Sequence, residues 1–415
     1  MRSTANSRPA AVVLGCTIAI VLGVISVAPA SADQGTAVPG VAVVVRGEPG
    51  AVDQVLAAVP RVGGRVTFAL PIIDGAAATV PQGAVDELSR QPGVAAVTPD
   101  TEGEVQWTYP RTYGGYGSYS SYGGSGTTTT TTPTTTTGGS STLDLGSLEA
   151  VTKMIGARTV WGKGYTGKGI DIAVIDTGAA SVQGLTGGNV LHGPDLSFDS
   201  QSTSTRYVDR FGHGTHMTSI IAGRDGDGSP SSSALSGTFS GVAPGARVIS
   251  LKVGAGDGMV DISQVIAAIN WVTENATKNG LNIRVLNLSY GSASTQDYRC
   301  DPLAFAAEAA WRKGIVVVAA GGNQGIDREF LAAPALNPNL IAVGASDPVG
   351  TLAQDDDTVP PFSSRGAGHR YVDLVAPGMH VLGLRAPGGV VDSSYPVRGS
   401  TPGTPGAAAP PRPPR

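Results

Sequence analysis

A low-complexity stretch at residues 108–142 divides the chain into two parts and limits how each can fold. Tyr, Gly and Ser dominate residues 109–122, and threonine fills most of residues 127–137, where Pro133 interrupts the run. A stretch of this composition cannot bury an apolar core, so we expect it to be disordered. The 415 residues are enough for two folded units, and we expect one on each side of this stretch.

The first residues predict an export signal. Two arginines lie within the first eight residues, an apolar run follows over residues 10–28, and Ala30-Ser31-Ala32 ends it with small side chains. This pattern predicts a secretory signal peptide over residues 1–32, cleaved after Ala32, and hence a secreted, extracellular protein. A retained membrane anchor is the alternative, because the apolar run is long for a signal.

Composition excludes two other classes. The net charge is −4 and only 14% of residues are charged, with no basic block, so nothing indicates nucleic-acid binding. Past the signal there is no apolar run long enough to span a membrane, so we expect no stable membrane insertion of the mature chain. Cys300 would then be the only cysteine, which excludes an internal disulfide, and we interpret it as a buried or loop residue.

Residues 33–107 show a pattern of strands and helices in the order β-α-β-β-α-β. This order predicts a small ferredoxin-like α+β unit. The expected strands are residues 41–45, 65–69, 76–80 and 94–97, and the expected helices are residues 51–59 and 81–90.

From about residue 145 onward, short apolar strands alternate with helices. This alternation predicts an α/β unit with a parallel sheet covered by helices on both faces. The expected strands are residues 170–175, 247–253, 283–288, 315–320 and 340–344, and the expected helices are residues 215–222, 261–276 and 302–312, with Asp261 as a helix N-cap.

Three polar motifs lie at or near the ends of these strands, where parallel sheets place their active sites. Asp176 closes an apolar strand before Thr-Gly, His213 opens a helix, and Asn323 follows a strand that ends in glycines. Each motif alone is weak: the first resembles an ordinary Asx-turn and the third a Gly/Asn turn. A metal site at His213 and His216 is a minor alternative, because their spacing is not that of a zincin helix and no Glu accompanies them.

Taken together and in this order, the three motifs resemble those of the subtilisin family of serine proteases. Asp176 stands in Asp-Thr-Gly, His213 in His-Gly-Thr-His and Asn323 in Gly-Asn-x-Gly, and the resemblance covers about residues 151–389. It implies that His213 is the general base for a serine nucleophile and that Asp176 orients its imidazole. Asn323 would donate a hydrogen bond to the tetrahedral oxyanion.

The same resemblance implies a cleft for a polypeptide substrate in extended conformation. Ser289, Tyr290 and Gly291 resemble the strand beside the specificity pocket, and the segment with Gly254, Gly256 and Gly258 resembles the opposite rim. Such a substrate would be held as an added strand. The first unit resembles the family's propeptide, which makes it a partner of the cleft. We expect no cofactor; calcium is often bound in the family, but no ligand loop is evident and we assign no metal site.

The family pattern fails where its nucleophile belongs. The family continues with Gly-Thr-Ser-x-Ala at the start of an apolar helix, whereas this chain continues with Arg398-Gly399-Ser400-Thr401-Pro402 and further prolines. Ser400 is a weak candidate, because prolines cannot build that helix. In a shifted reading frame, residues 407–415 are compatible with Gly-Ser-Gly-Thr-Ser-Gln-Ala-Ala-Ala. We therefore hypothesise a frameshift, real or from a sequencing error, near Val397.

These patterns predict a precursor, or zymogen, of a secreted serine endopeptidase that is inactive as this chain. The alternatives are a pseudoprotease or peptide-binding module that does not cut, and an active protease that uses Ser400. The predicted segments are a signal peptide at 1–32, a propeptide at 33–107, a linker at 108–147, an incomplete (C-terminally truncated) subtilisin-like catalytic domain at 148–396 and an aberrant tail at 397–415. The linker is the most accessible place for cleavage.

Overall fold

The structure, a computed structural model, describes residues 40–105, 145–235, 237–326, 330–368 and 370–394. All of them belong to one compact unit that begins at Gly40. The predicted signal, the low-complexity stretch and the proline-rich tail lie outside the described residues. Within the described residues, no helix combines the length and the apolar character needed to cross a membrane.

The first part of this unit is a four-stranded antiparallel sheet with two helices. The β-α-β-β-α-β chain order and the sheet order, in which the second strand pairs with the third, the third with the first and the first with the fourth, confirm the ferredoxin-like prediction. Its elements are β1 (Gly40–Gly47), α1 (Val52–Arg61), β2 (Arg65–Leu70), β3 (Gly75–Pro81), α2 (Val85–Ser89) and β4 (Val94–Pro99), with 3₁₀ turns at Pro71–Ile73 and Gln82–Ala84.

The two central strands of this small sheet, β1 and β3, bury side chains on both of its faces. Successive side chains of a strand point to opposite faces. Val43 and Val45 of β1 pack in a core with Val55 and Val59 of α1. Val44, between them, joins the larger core of the second part of the unit. The first part is therefore held to the second through the face that its own helices leave open.

Two predictions for the first part were wrong in detail. The helix expected over residues 81–90 is a 3₁₀ turn at Gln82–Ala84 followed by the five-residue α2, and Pro81 is instead the last residue of β3. The strand β5 (Glu102–Val105) was not predicted. Its sequence, Glu-Gly-Glu-Val, has no apolar alternation, and it pairs outside the small sheet.

The second part contains a seven-stranded sheet with every neighbouring pair parallel. From one edge to the other, its strands are Leu374–Pro377, Ile341–Ser346, Val316–Ala320, Ile283–Leu288, Asp171–Asp176, Arg247–Lys252 and Val190–Asp195. This confirms the predicted α/β class. Its elements are α3 (Leu148–Met154), α4 (Ala157–Gly162), β6 (Asp171–Asp176), β7 (Val190–Asp195), a 3₁₀ turn at Phe198–Gln201, α5 (His213–Ala222), α6 (Pro230–Ser233), β8 (Arg247–Lys252), β9 (Met259–Asp261), α7 (Ile262–Asn275), β10 (Ile283–Leu288), β11 (Tyr290–Gly291), α8 (Pro302–Arg312), β12 (Val316–Ala320), β13 (Ile341–Ser346), β14 (Gly366–Ala367), β15 (Arg370–Tyr371), β16 (Leu374–Pro377) and α9 (Val390–Ser394).

Helices cover both faces of the sheet at its centre. Ala173 and Ile175 of β6 belong to the core formed with α7 and α8, whereas Val174 packs with Ala222 of α5 on the opposite face. The predicted helix starts are also confirmed for α7, whose N-cap Asp261 forms a capping box with Gln264. This central packing fixes the carboxyl end of β6, where Asp176 lies.

A separate three-stranded sheet joins the two parts. β5 runs antiparallel between β11 and β9, with Glu102 opposite Asp261 and Val105 opposite Tyr290. A hydrogen bond from the Ile72 amide to the Asn270 side-chain oxygen Oδ1 (3.0 Å) adds a contact between the first part and α7. The end of the first part thus lies as an added strand between two segments of the second.

Candidate active site

Asp176 is the last residue of β6, and its side chain is almost fully buried. The amide of Thr177, the next residue, donates to Asp176 Oδ1 at 2.8 Å and so fixes the carboxylate at the strand end. β6 lies between β10 and β8 in the sheet, so the carboxylate is at the centre of the carboxyl edge. This is the edge at which the sequence predicts a site.

His213 is the first residue of α5 and contacts Asp176 directly. Its Nδ1 lies 2.8 Å from Asp176 Oδ1 and 3.0 Å from Oδ2, and both side chains are buried. The helix start and the strand end approach closely here: a Cβ at Gly214 would overlap the carbonyl oxygen of Gly178. A side chain at residue 214 would therefore push the imidazole away from the carboxylate.

The surroundings of His213 favour its protonated form. Burial alone would lower its pKa, but the charge and hydrogen bond of Asp176, together with the charge of Asp209, outweigh burial and raise it. His216, one turn along α5, behaves in the opposite way: burial and the charge of His213 lower its pKa to about 4. The pKa values of the two histidines are thus shifted in opposite directions by their surroundings.

Asn323 lies in the loop after β12, on the same edge of the sheet. β10 separates β12 from β6, so this loop begins about 10 Å from the end of β6. Ser364 holds the loop: its amide donates to the Gly322 carbonyl at 3.0 Å, and its Oγ accepts from the Gln324 amide at 3.1 Å. The structure thus brings the three predicted residues to one edge and gives direct contact between Asp176 and His213.

Of the two predicted rims of the cleft, one contains a strand that flanks β5 and the other ends just before one. On one side Tyr290 and Gly291 form β11, as the sequence suggested. On the other side the pairing strand is Met259–Asp261, which begins just after Gly258; the predicted Gly254, Gly256 and Gly258 precede it. Ser289, just before β11, is largely buried.

Several remaining predictions concern other residues. Ser400 lies outside the described residues. Among the residues that the structure describes, no group of three or more His, Cys, Asp and Glu side chains is placed to hold a metal ion. Cys300 is exposed in a turn, so it is a loop residue and the alternative of a buried one was wrong.

Sequence reasoning missed two charged residues beneath the site. Asp209 and Lys252 are both buried, and both bind Thr177. A buried charge in a loop leaves no periodic signal in a sequence. Of the two, only Lys252 gave a signal in the sequence: it ends an apolar strand, and lysine is almost never fully buried without partners.

Comparison with known proteins agrees with this geometry. Residues 167–409 match the model of a family described as the subtilase family, and residues 20–100 match one described as "Putative peptidase inhibitor domain". Serine protease AprX of Bacillus subtilis (strain 168) is 35% identical over 237 residues, which make up 56% of this chain and 51% of that protein. Subtilisin BL of Lederbergia lenta is 35% identical over 249 residues, or 60% of this chain and 77% of that protein.

A third relative, the major intracellular serine protease of Bacillus subtilis (strain 168), is 30% identical over 244 residues, 58% of this chain and 67% of that protein. The chain therefore spans about half the length of AprX and a larger share of the other two. The subtilase match extends over more than half of the 415 residues. Fold, strand-end site and family match agree, and this chain belongs to the subtilase family.

Proposed function

We propose that this chain is the precursor of a secreted serine-type endopeptidase. The observation that carries the proposal is the buried contact between His213 Nδ1 and both carboxylate oxygens of Asp176. In this role Asp176 holds the imidazole in the tautomer that leaves Nε2 as the base, and it stabilises the imidazolium after proton transfer. Asn323 is the proposed donor to the oxyanion, because it lies on the same edge of the sheet.

The proposed substrate is a polypeptide bound in extended form. β5 supports this, because it lies antiparallel to both β9 and β11 and uses main-chain pairing that is independent of side chains. The chain's own first part occupies the cleft in this way, so we propose that it acts as an inhibitory propeptide. Its match to a peptidase inhibitor family supports this role, and the apolar N-terminal run supports export.

The nucleophile belongs to the same proposal. No Gly-Thr-Ser segment follows residue 397, and Ser400 is followed by prolines. We propose that residues 398–415 provide no competent nucleophile and that the alternate frame from about Val397 encodes one. Nucleotide sequencing tests the second statement, which fails if that frame does not encode Gly-Thr-Ser followed by an apolar helix.

A fluorophosphonate probe, which labels activated serines, tests the chemistry. We expect no labelling of the full chain, and labelling of the alternate-frame product that disappears in its His213→Ala variant. Labelling of the full chain that is lost on Ser400→Ala would instead identify Ser400 as the nucleophile. If neither product is labelled, the peptidase proposal is wrong.

A second candidate function is peptide binding without cleavage. The position of β5 favours it specifically, because strand addition needs the two rims but no nucleophile. Two results together would distinguish this function: a cooperative thermal melt of the full chain, and retained binding of an extended peptide when no serine is labelled. Loss of peptide binding in a folded chain would exclude it.

A further inference from the structure

Asp209 is a buried carboxylate in the loop before α5 that the proposed mechanism does not use. It accepts four hydrogen bonds: from Thr177 Oγ1 (2.8 Å), from the Gly212 amide (2.7 Å), and from both the amide (2.8 Å) and the hydroxyl (2.5 Å) of Thr215. Two of its donors are backbone amides at the start of α5, where the helix dipole favours a negative charge. These donors satisfy both oxygens of the buried carboxylate.

Thr177 connects Asp209 to the residue before it, Asp176. Its amide donates to Asp176 Oδ1, and its hydroxyl donates to Asp209 while accepting from the Gly214 amide at 2.8 Å. Its carbonyl accepts from Lys252 Nζ at 3.2 Å. Every polar group of Thr177 is thus engaged, and the turn after Asp176 cannot move without breaking bonds to the start of α5.

The result is a bridge between the two elements that position the site. Asp176 ends β6 and His213 begins α5. The Asp209 carboxylate connects these two elements, because it binds Thr177 next to Asp176 and also binds Gly212 and Thr215 next to His213. Thr215 extends the bridge, since its hydroxyl also accepts from the Ala180 amide at 2.9 Å. The contact between His213 and Asp176 thus depends on bonds that neither of these side chains makes.

Asp209 also acts on His213 through its charge. The titratable groups that face the imidazole are Asp176 and Asp209, which favour its protonated form, and His216, whose own proton affinity is reduced by His213. Because these groups are buried, their charges are weakly screened. The Asp209 carboxylate therefore adds to the effect of Asp176 without touching the imidazole.

We propose that Asp209 is a positioning residue of the subtilase site: it locks the turn after Asp176 to the start of α5 and stabilises the imidazolium of His213 at a distance. This inference rests on the proposed function, because an imidazolium matters only if His213 takes a proton. It can nevertheless be tested without a nucleophile, since the protonation of His213 and its bond to Asp176 are observable by NMR in the full chain.

The experiment is a pH titration of the ¹⁵N-histidine-labelled full chain, with His216→Gln used to assign the signals. Asp209→Asn removes the charge, keeps one acceptor oxygen, and is expected to lower the pKa of His213. The matched control is Asp171→Asn. Asp171 is as buried as Asp209 and also accepts several hydrogen bonds. It lies at the opposite end of β6 from Asp176, about 17 Å along the strand. The control should leave the pKa of His213 unchanged, even if it destabilises the fold.

A second variant covers the case in which Asp209→Asn does not fold. Thr177→Val keeps the side-chain shape but breaks the bridge, so the downfield Nδ1–H resonance of His213 should broaden or move upfield. An unchanged His213 pKa in folded Asp209→Asn would overturn the electrostatic role, and an unchanged Nδ1–H resonance in Thr177→Val would overturn the bridging role. Failure of the peptidase proposal would instead show as absent probe labelling of the alternate-frame product, while the lowered His213 pKa in Asp209→Asn and the changed Nδ1–H resonance in Thr177→Val are still observed.

Discussion

Gly254 and Tyr290 pack closely against each other beneath the cleft, so that the tyrosine fits only because residue 254 has no side chain. Tyr290 is fully buried, and a Cβ at Gly254 would overlap its hydroxyl oxygen and come within 2.9 Å of Thr177 Cγ2. The Tyr290 hydroxyl is buried without a hydrogen-bond partner among the described residues. Burial raises its pKa well above the usual value, and the charges of Asp176, Asp209 and Asp257 raise it further, so the hydroxyl stays neutral. The phenol therefore occupies the space that a side chain at residue 254 would need.

Gly254→Ala should destabilise the fold by about 1–3 kcal/mol through overpacking. The backbone of Gly254 is not left-handed, so the cost is steric rather than conformational. The measurement is the free energy of unfolding by chemical denaturation. Tyr290→Phe is the control: it removes an unpaired buried hydroxyl, so it should be neutral or stabilising, and it should recover part of the loss in the double variant. If the effects of the two changes on the free energy of unfolding are additive, the destabilisation by Gly254→Ala does not come from overlap with the Tyr290 hydroxyl.

At the scale of single residues, the sequence predicted the residues that belong to a motif and missed the buried residues that position them. Asp176 and His213 were identifiable because their motifs, each weak alone, occur together and in the order of the family that the sequence resembles. Asp209 lies in a loop, and it matters because its carboxylate accepts hydrogen bonds from Thr177, Gly212 and Thr215 at once. That convergence is a tertiary property, which no local pattern expresses.

At the scale of elements, β5 brings carboxylates together. Glu102 lies directly opposite Asp261 in the antiparallel pair, and Asp100, which accepts from the Ser263 amide at 3.0 Å, is close by. Like charges opposite each other in a sheet are destabilising. Burial raises the pKa of Asp261, and the charges of Asp100 and Glu102 raise it further; burial also raises the pKa of Asp100 against the hydrogen bonds from Ser263.

We expect the docking of β5 to weaken as pH rises. An acid whose pKa is raised on docking takes up a proton there, so docking is favoured below the raised pKa and loses that contribution as pH increases through it. Amide hydrogen exchange of β5 in the intact chain, corrected for the intrinsic effect of pH, should show decreasing protection over this range. Asp261→Asn, which keeps a helix cap, should flatten the trend. Protection that increases with pH would contradict the prediction.

Element patterns predicted the small sheet and the five inner strands of the large sheet, where side chains are buried. They missed the edge strands β7 and β16, which bury none of their residues. α8 and β10 were predicted to the residue, since apolar runs and an Asp-Pro start mark their ends. β5 could not be predicted in this way. Its residues form a strand because they pair with β9 and β11, which belong to another part of the chain. These two partners are only three and two residues long, too short to show a strand pattern of their own.

At the scale of the whole molecule, the large sheet is covered unevenly. Its centre is buried on both faces, but at one side Val316, Leu374 and Val375 are 40–49% exposed. Parallel sheets normally have both faces covered. α7 and α8 line the larger core of the second part, and the first part packs on the same two helices. The first part thus contributes to the stability of the second.

This shared core predicts the fate of a nicked chain. Leu70, Ile72, Ile73 and Ala77 of the first part belong to the same core as α7 and α8, and β5 adds a ladder on each side. The sequence predicts that a protease added in trace amounts cuts first in the low-complexity stretch at residues 108–142. After that cut, we expect the two fragments to remain associated in size-exclusion chromatography, because cleavage there removes none of these contacts.

The contacts of Ile72 allow this prediction to be tested at one position. Ile72 is buried among core residues, and its amide binds Asn270, so Ile72→Asp would place an unpaired charge in the interface. Nicked Ile72→Asp should separate into two fragments, whereas nicked Gln82→Asp, which adds the same charge at an exposed position of the first part, should elute as one complex. If both variants separate, or neither does, the shared core does not hold the fragments together.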